Sequence, residues 1–345
     1  MKYSEDYFDG IKKAISLNPI IYELKNSSIF VTGATGLICS TVCDFLLYLN
    51  KEYRLNNSLY FGARNHKKLL SRFEIYEEGK DYFFIQYDAA QKLNISEKCD
   101  YIIHGAGNAV PLLFDKNPVE TMMDAIHGIN EILLYASKNK PCRVLYISSS
   151  EVYGKKGDSL SYTEDEYGFV DLLNPRACYP SSKRACETLC ASYFKEYNVD
   201  SVIIRPGHVY GPQLNENDNR AASAFLKNVL TGDIVMKSAG TQLRSFCNSL
   251  DCATAILTVL IRGKENNAYN ISNRKSISTI MEYAKILAKA SNRKILFDNP
   301  STSEVKSYNL MDNSSLDSTK IENLGWQGIF DLEEEIQYTL RVMKQ

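Results

Sequence analysis

The chain has 345 residues, 44% of them hydrophobic and 23% charged, enough to bury a full core and to form two lobes. Forty Lys and Arg stand against 41 Asp and Glu, a net charge of −1, so charge gives no reason to expect nucleic acid or an anionic membrane as partner. No apolar run approaches the ~18 residues of a membrane span, the opening MKYSEDYFDG lacks a basic-then-apolar leader pattern, and nine scattered cysteines form no dense secreted framework; a cytoplasmic protein is expected.

Residues 4–17 predict an amphipathic helix capped by Ser4, with Tyr7, Phe8, Ile11 and Ile15 as its apolar stripe and Asn18-Pro19 as its end. SIFVT (Ser28 to Thr32) reads as a buried parallel strand. GATG follows at Gly33 to Gly36, and Leu37 to Leu49 has helical periodicity. Strand, glycine turn and helix together suggest a dinucleotide site: glycines let the backbone approach a pyrophosphate, and the helix start offers unpaired N–H groups. A plain tight turn is the competing reading. Cys39/Cys43 and Cys186/Cys190 are i, i+4 pairs without partners at zinc spacing, and read as buried packing groups.

A second strand, Ser58 to Arg64, ends without the acid that usually holds the adenosine ribose. Arg64, followed by Asn65, His66, Lys67 and Lys68, could instead meet a 2′-phosphate, or be solvated surface. The cofactor expected is NAD, with NADP admitted. Tyr82 to Asp88 and Asp100 to Gly107 are the next strands; Asp88 could meet the adenine edge, and Ala106 lies where backbone must pass close to a ligand. Helix Val119 to Ser137, strand Arg143 to Ser150 and strand Ser201 to Gly207 complete an alternating pattern. The fold class is α/β: a doubly wound parallel Rossmann sheet. Beyond it, helices are expected at Leu250 to Leu260, Ile277 to Ala290 and Leu332 to Met343, with a strand at Asn267 to Ser272.

The chemistry is carried between Ser148 and Lys183. SSSEVYG (Ser148 to Gly154) leaves the fifth strand, and YPSSK (Tyr179 to Lys183) lies on a helix. Tyr179 and Lys183 share a helix face. A free tyrosine loses its proton near pH ~10; an ammonium one turn away is expected to bring that value down. A strand-end serine could share the same substrate oxygen. The three groups can take a proton from an alcohol as a hydride leaves its carbon.

In TGATGLIC, SSSEVYG, YPSSK, RPGHVYGP (Arg205 to Pro212), GTQLRSF (Gly240 to Phe246) and LGW (Leu324 to Trp326), the chain resembles an extended short-chain dehydrogenase/reductase of the nucleotide-sugar epimerase/dehydratase/decarboxylase branch. NPRACYPSSKRACETLC (Asn174 to Cys190) is most similar to UDP-glucuronate decarboxylases. The resemblance implies a nucleotide-sugar substrate, a tightly held NAD that takes hydride from sugar C4, and a 4-keto intermediate. It implies catalytic roles for Ser149, Ser150, Glu151, Tyr179 and Lys183. It puts cofactor contacts at Gly33, Thr35, Gly36, Leu37, Ile38, Arg64, Asp88, Ala106, Tyr179 and Lys183, and substrate contacts at His208 and Arg244. A homodimer through the two helices Val119–Ser137 and Tyr179–Tyr193 is also implied. The corresponding domains are an arm (1–27), a dinucleotide-binding domain (28–210 and 241–262) and a smaller C-terminal α/β nucleotide-sugar domain (211–240 and 263–345).

Dehydratases of this branch usually carry Asp-Glu where Ser150-Glu151 stands; the Ser-Glu pair is decarboxylase-like, unless Glu151 only caps a loop. Cys39 replaces the family's third glycine, His208 its substrate-touching Asn, and Ala125 a further Asn. An arginine usual before an Asp-x-x-Lys run is missing around Asp312 to Asp317. His208 could be an acid or base near neutral pH, or a structural replacement. The alternatives to a decarboxylase are a 4-epimerase, a 4,6-dehydratase, a reductase with dissociable NADPH, and a non-catalytic dinucleotide sensor.

Overall fold

The computed structural model describes residues 3–157, 160–214, 218–300 and 311–345. Ser28–Thr32 forms strand β1, buried at all but its first residue, as a central parallel strand requires. Helices then return the chain to the same end of the sheet. α2 (Leu37–Tyr53) follows β1, α3 (His66–Arg72) follows β2 (Ser58–Ala63), and β3 is Phe83–Gln86. α4 (Pro111–Lys116) and α5 (Pro118–Lys138) follow β4 (Tyr101–His104), and α6 (Cys178–Tyr197) lies between β5 (Arg143–Ile147) and β6 (Ser201–Pro206). With strand Asn267–Ile271 these make a seven-stranded sheet ordered β3-β2-β1-β4-β5-β6 and then Asn267–Ile271. Every pairing is parallel. The order turns between β1 and β4, and such a turning point opens a crevice at the strands' C-terminal ends.

Helix α1 (Glu5–Leu17) is capped by Ser4, whose Oγ accepts from the Tyr7 N–H at 3.3 Å. Its Tyr7 hydroxyl donates to Asp44 Oδ2 at 2.6 Å and accepts from Gln213 Nε2 at 2.7 Å. The arm therefore packs into the fold across both lobes. One apolar core lies under α1, α2 and α8 (Ser249–Arg262), and a second under α5 and α6, on the opposite sheet face. All nine cysteines are free and buried, as packing groups should be.

The smaller lobe is built on strand Leu243–Asn248. His208–Tyr210 and Asn313–Ser314 pair with it in parallel, and Ile277–Thr279 pairs antiparallel. Helices Ala221–Thr231, Ile280–Ser291 and Leu332–Lys344 close a third core over it. Two expectations are corrected here. The boundary after residue 262 is misplaced: Asn267–Ile271 joins β6, covering what would otherwise be an open sheet edge, whereas Leu243–Asn248 belongs to the small sheet. The helix expected from Ile277 begins at Ile280, because Ile277–Thr279 is consumed by strand pairing and Thr279 forms a capping box with Glu282.

Candidate active site

At the crevice the chain turns through Gly33, whose φ is +70°. A Cβ there would lie 2.9 Å from the Ala106 nitrogen, so glycine is required both for the turn and for the close approach of two strand ends. Thr32 Oγ1 ties those ends together by accepting from the N–H groups of Gly105 and Ala106 at 3.2 and 3.3 Å. Gly36 begins α2 with no side-chain cap, so the first turn, with Leu37 and Ile38, offers backbone N–H groups to an anion. Thr35 lies between the two glycines. A dinucleotide pyrophosphate fits this cradle, since neither glycine projects a side chain into it. Cys39 stands where a third glycine was expected, and the compensation is visible: a Cβ on Gly105 would fall 2.3 Å from the Cys39 sulfur.

Arg64 follows β2 and is exposed; Asp88 follows β3 and accepts from the Ala90 N–H at 3.1 Å. Asp124 on α5 faces both: burial first, then Asp88 and Glu120, raise its carboxyl, while Arg64 and His127 oppose them. The residues proposed for the adenosine end thus converge on one region.

Ser149 leaves β5 in extended conformation and caps the short turn Ser150–Tyr153, accepting from the Glu151 N–H at 3.2 Å. Tyr179 enters from the first turn of α6. Burial is the main influence raising its phenol, followed by the Glu151 carboxylate; a hydrogen bond with Ser149, Arg220 and Arg176 act the other way. The expected lowering by Lys183 is therefore corrected. Its ammonium donates to the Ile147 carbonyl at 2.7 Å and sits 5.8 Å from the Tyr179 ring centre, with burial lowering its own pKa. Burial outweighs the cations acting on the phenol. Ser150 is buried at the same strand end.

Glu151 connects these groups to a cavity of about 430 Å³ between the lobes. Its wall includes Glu151, Arg176, His208, Arg220, Lys237 and Arg244; Ser149 and Tyr179 lie outside the wall, reached past Glu151. Arg176 bonds Glu151 Oε1 at 2.9 Å. Arg220 is held by both oxygens of Asp218, and Lys237 by Asp298 at 2.7 Å. Arg244 is different. It is 4% exposed, its partners are the carbonyls of Leu243 and Asp312, and burial lowers its pKa to about 10. A desolvated guanidinium whose partners among the described residues are carbonyls keeps the capacity to receive an anion. His208 is pushed well below the usual range by burial and by Arg244 and Arg220, and its Nδ1 has no partner among the described residues. It therefore offers a neutral ring to the cavity rather than a charged acid.

Sequence reasoning missed Arg176, Arg220 and Phe114. Arg176 lies one turn before Tyr179, inside the quoted stretch NPRACYPSSKRACETLC, and Arg220 ends the polar run NENDNR (Asn215 to Arg220). Phe114 carried no local signal: its ring stacks on Tyr179 at 4.4 Å and 14° only because α4 folds back. Ala125 is buried in the α5–α6 core. No cluster of three or more metal-ligating side chains occurs among the described residues, and no described helix is long and apolar enough to cross a membrane.

The profile of the NAD dependent epimerase/dehydratase family matches residues 29–272. UDP-glucuronic acid decarboxylase 6 of Arabidopsis thaliana is 33% identical over 255 residues, 72% of this chain and 70% of that protein. UDP-glucuronic acid decarboxylase 1 of Danio rerio is 27% identical over 329 residues, 92% and 73% of the two chains. Among solved structures, UDP-N-acetylglucosamine 4-epimerase from Methanobrevibacter ruminantium has a TM-score of 0.78 at 19% identity, covering 93% of this chain and 99% of that one. UDP-glucuronic acid 4-epimerase from Bacillus cereus, solved with UDP-glucuronic acid and NAD, has a TM-score of 0.76 at 23% identity, covering 92% and 99%. Those two likenesses establish the fold.

Proposed function

Because the chain belongs to the NAD dependent epimerase/dehydratase family, we propose that it is a nucleotide-sugar enzyme that oxidises sugar C4 and then decarboxylates a uronic acid. The observation that carries the reading is a cavity walled by Glu151, Arg176, Arg220 and Arg244 next to Tyr179, whose ring stacks on the Phe114 ring that Arg176 covers. Gly33, Thr35, Gly36, Leu37, Ile38 and Ala106 would hold the dinucleotide, with Arg64 and Asp88 at its adenosine end and Lys183 at its nicotinamide ribose. A bound oxidised nicotinamide supplies the hydride acceptor and a positive charge beside the phenol.

The protein's part is proton handling and orientation. Ser149 and Tyr179 bind the C4 hydroxyl, and Tyr179 takes its proton as the C4–H bond breaks. The resulting 4-ketone makes the C5 substituent a β-keto carboxylate. The C5–C6 bond then breaks, its electron pair forms an enolate, and CO₂ leaves; Tyr179 and Ser149 hydrogen-bond the enolate oxygen. A proton from water replaces CO₂ at C5, and Tyr179 returns its proton to the C4 oxygen as the hydride first removed comes back to C4. Arg244 would take the diphosphate. Ser150 puts no acid where a dehydratase requires one for the leaving hydroxyl, which favours decarboxylation over dehydration. A homodimer is the proposed working unit, with Val119 and Met123 of α5, now 73% and 57% exposed, covered by the second copy.

Incubation with UDP-glucuronate should yield CO₂ and a UDP-pentose. Conversion to UDP-galacturonate without loss of mass would make the protein an epimerase instead. Failure of any sugar nucleotide to generate reduced-nicotinamide absorbance or product would leave the sensor reading.

A further inference from the structure

Behind the cavity, a buried chain of hydrogen bonds ties its wall to the dinucleotide half of the molecule. The wall draws His208 and Val209 from strand His208–Tyr210, and Arg244 and Phe246 from strand Leu243–Asn248. The two strands pair in parallel, His208 opposite Phe246 and Tyr210 opposite Asn248, and they leave the small sheet at one place. A Cβ on Gly211 would lie 2.3 Å from Ser249 Oγ, so the two exits touch. Gln213 lies across them: its Oε1 accepts from Ser249 Oγ at 3.1 Å, and its Nε2 donates to the Tyr7 hydroxyl at 2.7 Å. That hydroxyl donates in turn to Asp44 Oδ2 at 2.6 Å. Asp44 belongs to α2, the helix that starts at the dinucleotide cradle. Its other oxygen accepts from Arg72 Nη1 at 3.2 Å and from the Tyr3 hydroxyl at 2.8 Å. Tyr7, Asp44, Gln213 and Ser249 are all buried.

We propose that Tyr7, on the N-terminal arm, is a positioning residue for the sugar nucleotide: held by Asp44, its hydroxyl fixes Gln213 and with it the exits of both wall strands, and so sets where His208 and Arg244 stand relative to the cradle. The inference rests on the reading of the cavity as the sugar-nucleotide site. A buried amide left without a partner is costly, so Gln213 is confined to the one place where Tyr7 and Ser249 both meet it. The hydroxyl is itself oriented at both ends, donating to a carboxylate and accepting from an amide, and such a chain holds its members more tightly than isolated bonds would. Arg244 depends on this hold because it is bonded to the carbonyls of Leu243 and Asp312, and therefore moves with its strand. The cradle does not share the dependence. Without the Tyr7 hydroxyl, Asp44 keeps Arg72 and Tyr3, so α2 stays where it is. The remaining contacts of the arm are made by shape: a Cβ on Gly10 would lie 2.5 Å from the Tyr338 hydroxyl, which keeps α1 seated on the C-terminal helix when the hydroxyl of Tyr7 is removed.

The test is Tyr7→Phe, which keeps the ring and removes the hydroxyl, read by amide hydrogen exchange and by calorimetry with UDP and with NAD separately. Exchange in the segments Pro206–Gln213 and Leu243–Ser249 should speed up by roughly 10-fold, while Gly33–Ile38 stays as it was. Affinity for UDP should fall by roughly 5–10-fold and KM for the sugar nucleotide should rise to match, with kcat and NAD affinity kept. Gln213→Leu should show the same split, and the double variant should be little worse than the more affected single one, because the two residues share one hydrogen bond. Wild-type exchange and UDP affinity in Tyr7→Phe would overturn the proposal. So would faster exchange with UDP affinity unchanged, the signature of an arm that only stabilises the fold, or losses that simply add in the double variant. If the wild type bound neither UDP nor any sugar nucleotide, the function proposed above would fall. The exchange comparison needs no ligand, and it would still decide whether Tyr7 fixes the wall strands.

Discussion

The two ends of the site are made of different material. The dinucleotide cradle is backbone: Gly33, Gly36, Gly105 and Ala106, joined by Thr32, with no charged side chain in the turn itself. The sugar end is side chain: Glu151, Arg176, Arg220 and Arg244, delivered from four separate elements, with His208 as a neutral filler. A backbone cradle depends on φ angles and on the absence of Cβ atoms, so it is stated within one short stretch of sequence. A side-chain cavity depends on distant elements meeting, and one of its charges can be exchanged without disturbing the other end. The difference predicts that variants should split cleanly between loss of cofactor and loss of substrate.

The largest expected effect lies where the ends meet. Tyr179→Phe should lower turnover by on the order of 10³–10⁴, with dinucleotide affinity kept, because Gly33, Gly36 and Thr32 are untouched; single-turnover kinetics beside cofactor content would register both. Gly33→Ala should act on the opposite side of the split. At φ +70° an alanine costs about 1–2 kcal/mol, and its Cβ would press on the Ala106 nitrogen. Dinucleotide affinity should fall by roughly 10–100-fold, while UDP still binds the protein, as calorimetry with each ligand can resolve. Arg244→Leu should do the reverse. Losing the carbonyl-bound guanidinium should weaken UDP-sugar binding by roughly 30–100-fold and leave dinucleotide affinity unchanged. If Arg244→Leu also released cofactor, the ends would be coupled and the comparison would need redrawing.

The contrast also explains what sequence could convey. The Gly33–Gly36 turn, its strand and its helix are contiguous, so this strand–turn–helix unit was readable from Ser28 to Leu49. The placement of Ser149 just after a strand and of Tyr179 in a helix was readable because each sits at the end of a regular element. Arg244 was found only through resemblance. Phe114 and Arg220 were not found, since nothing in PLLF or NENDNR says which tertiary neighbour it meets. The Cys39 substitution looked like a defect until Gly105 was seen opposite. The edge strand Asn267–Ile271 was assigned to the wrong lobe because its partner, β6, lies more than sixty residues earlier in the chain.

The smallest effect tests the joint that keeps the two ends in register. Asp251 on α8 and Glu335 on the C-terminal helix are both fully buried, and they share Asn273, whose Nδ2 donates to Asp251 Oδ2 at 2.9 Å and to Glu335 Oε1 at 3.3 Å. Tyr210 donates to Glu335 at 2.8 Å, and the Ile329 N–H to Asp251 at 2.7 Å. Burial raises Asp251 to about 6, and burial together with Asp251 raises Glu335 well above its ordinary value. Both folded values exceed the unfolded ones near ~4. The pair's contribution to stability is therefore complete below about pH 4 and is lost as pH rises through 6 and beyond. Thermal unfolding should show the wild type losing on the order of 5 °C between pH 5 and pH 8 from this source, and Glu335→Gln, which keeps the shape without the charge, should flatten that slope. An unchanged slope would mean the two carboxyls do not hold a proton between them.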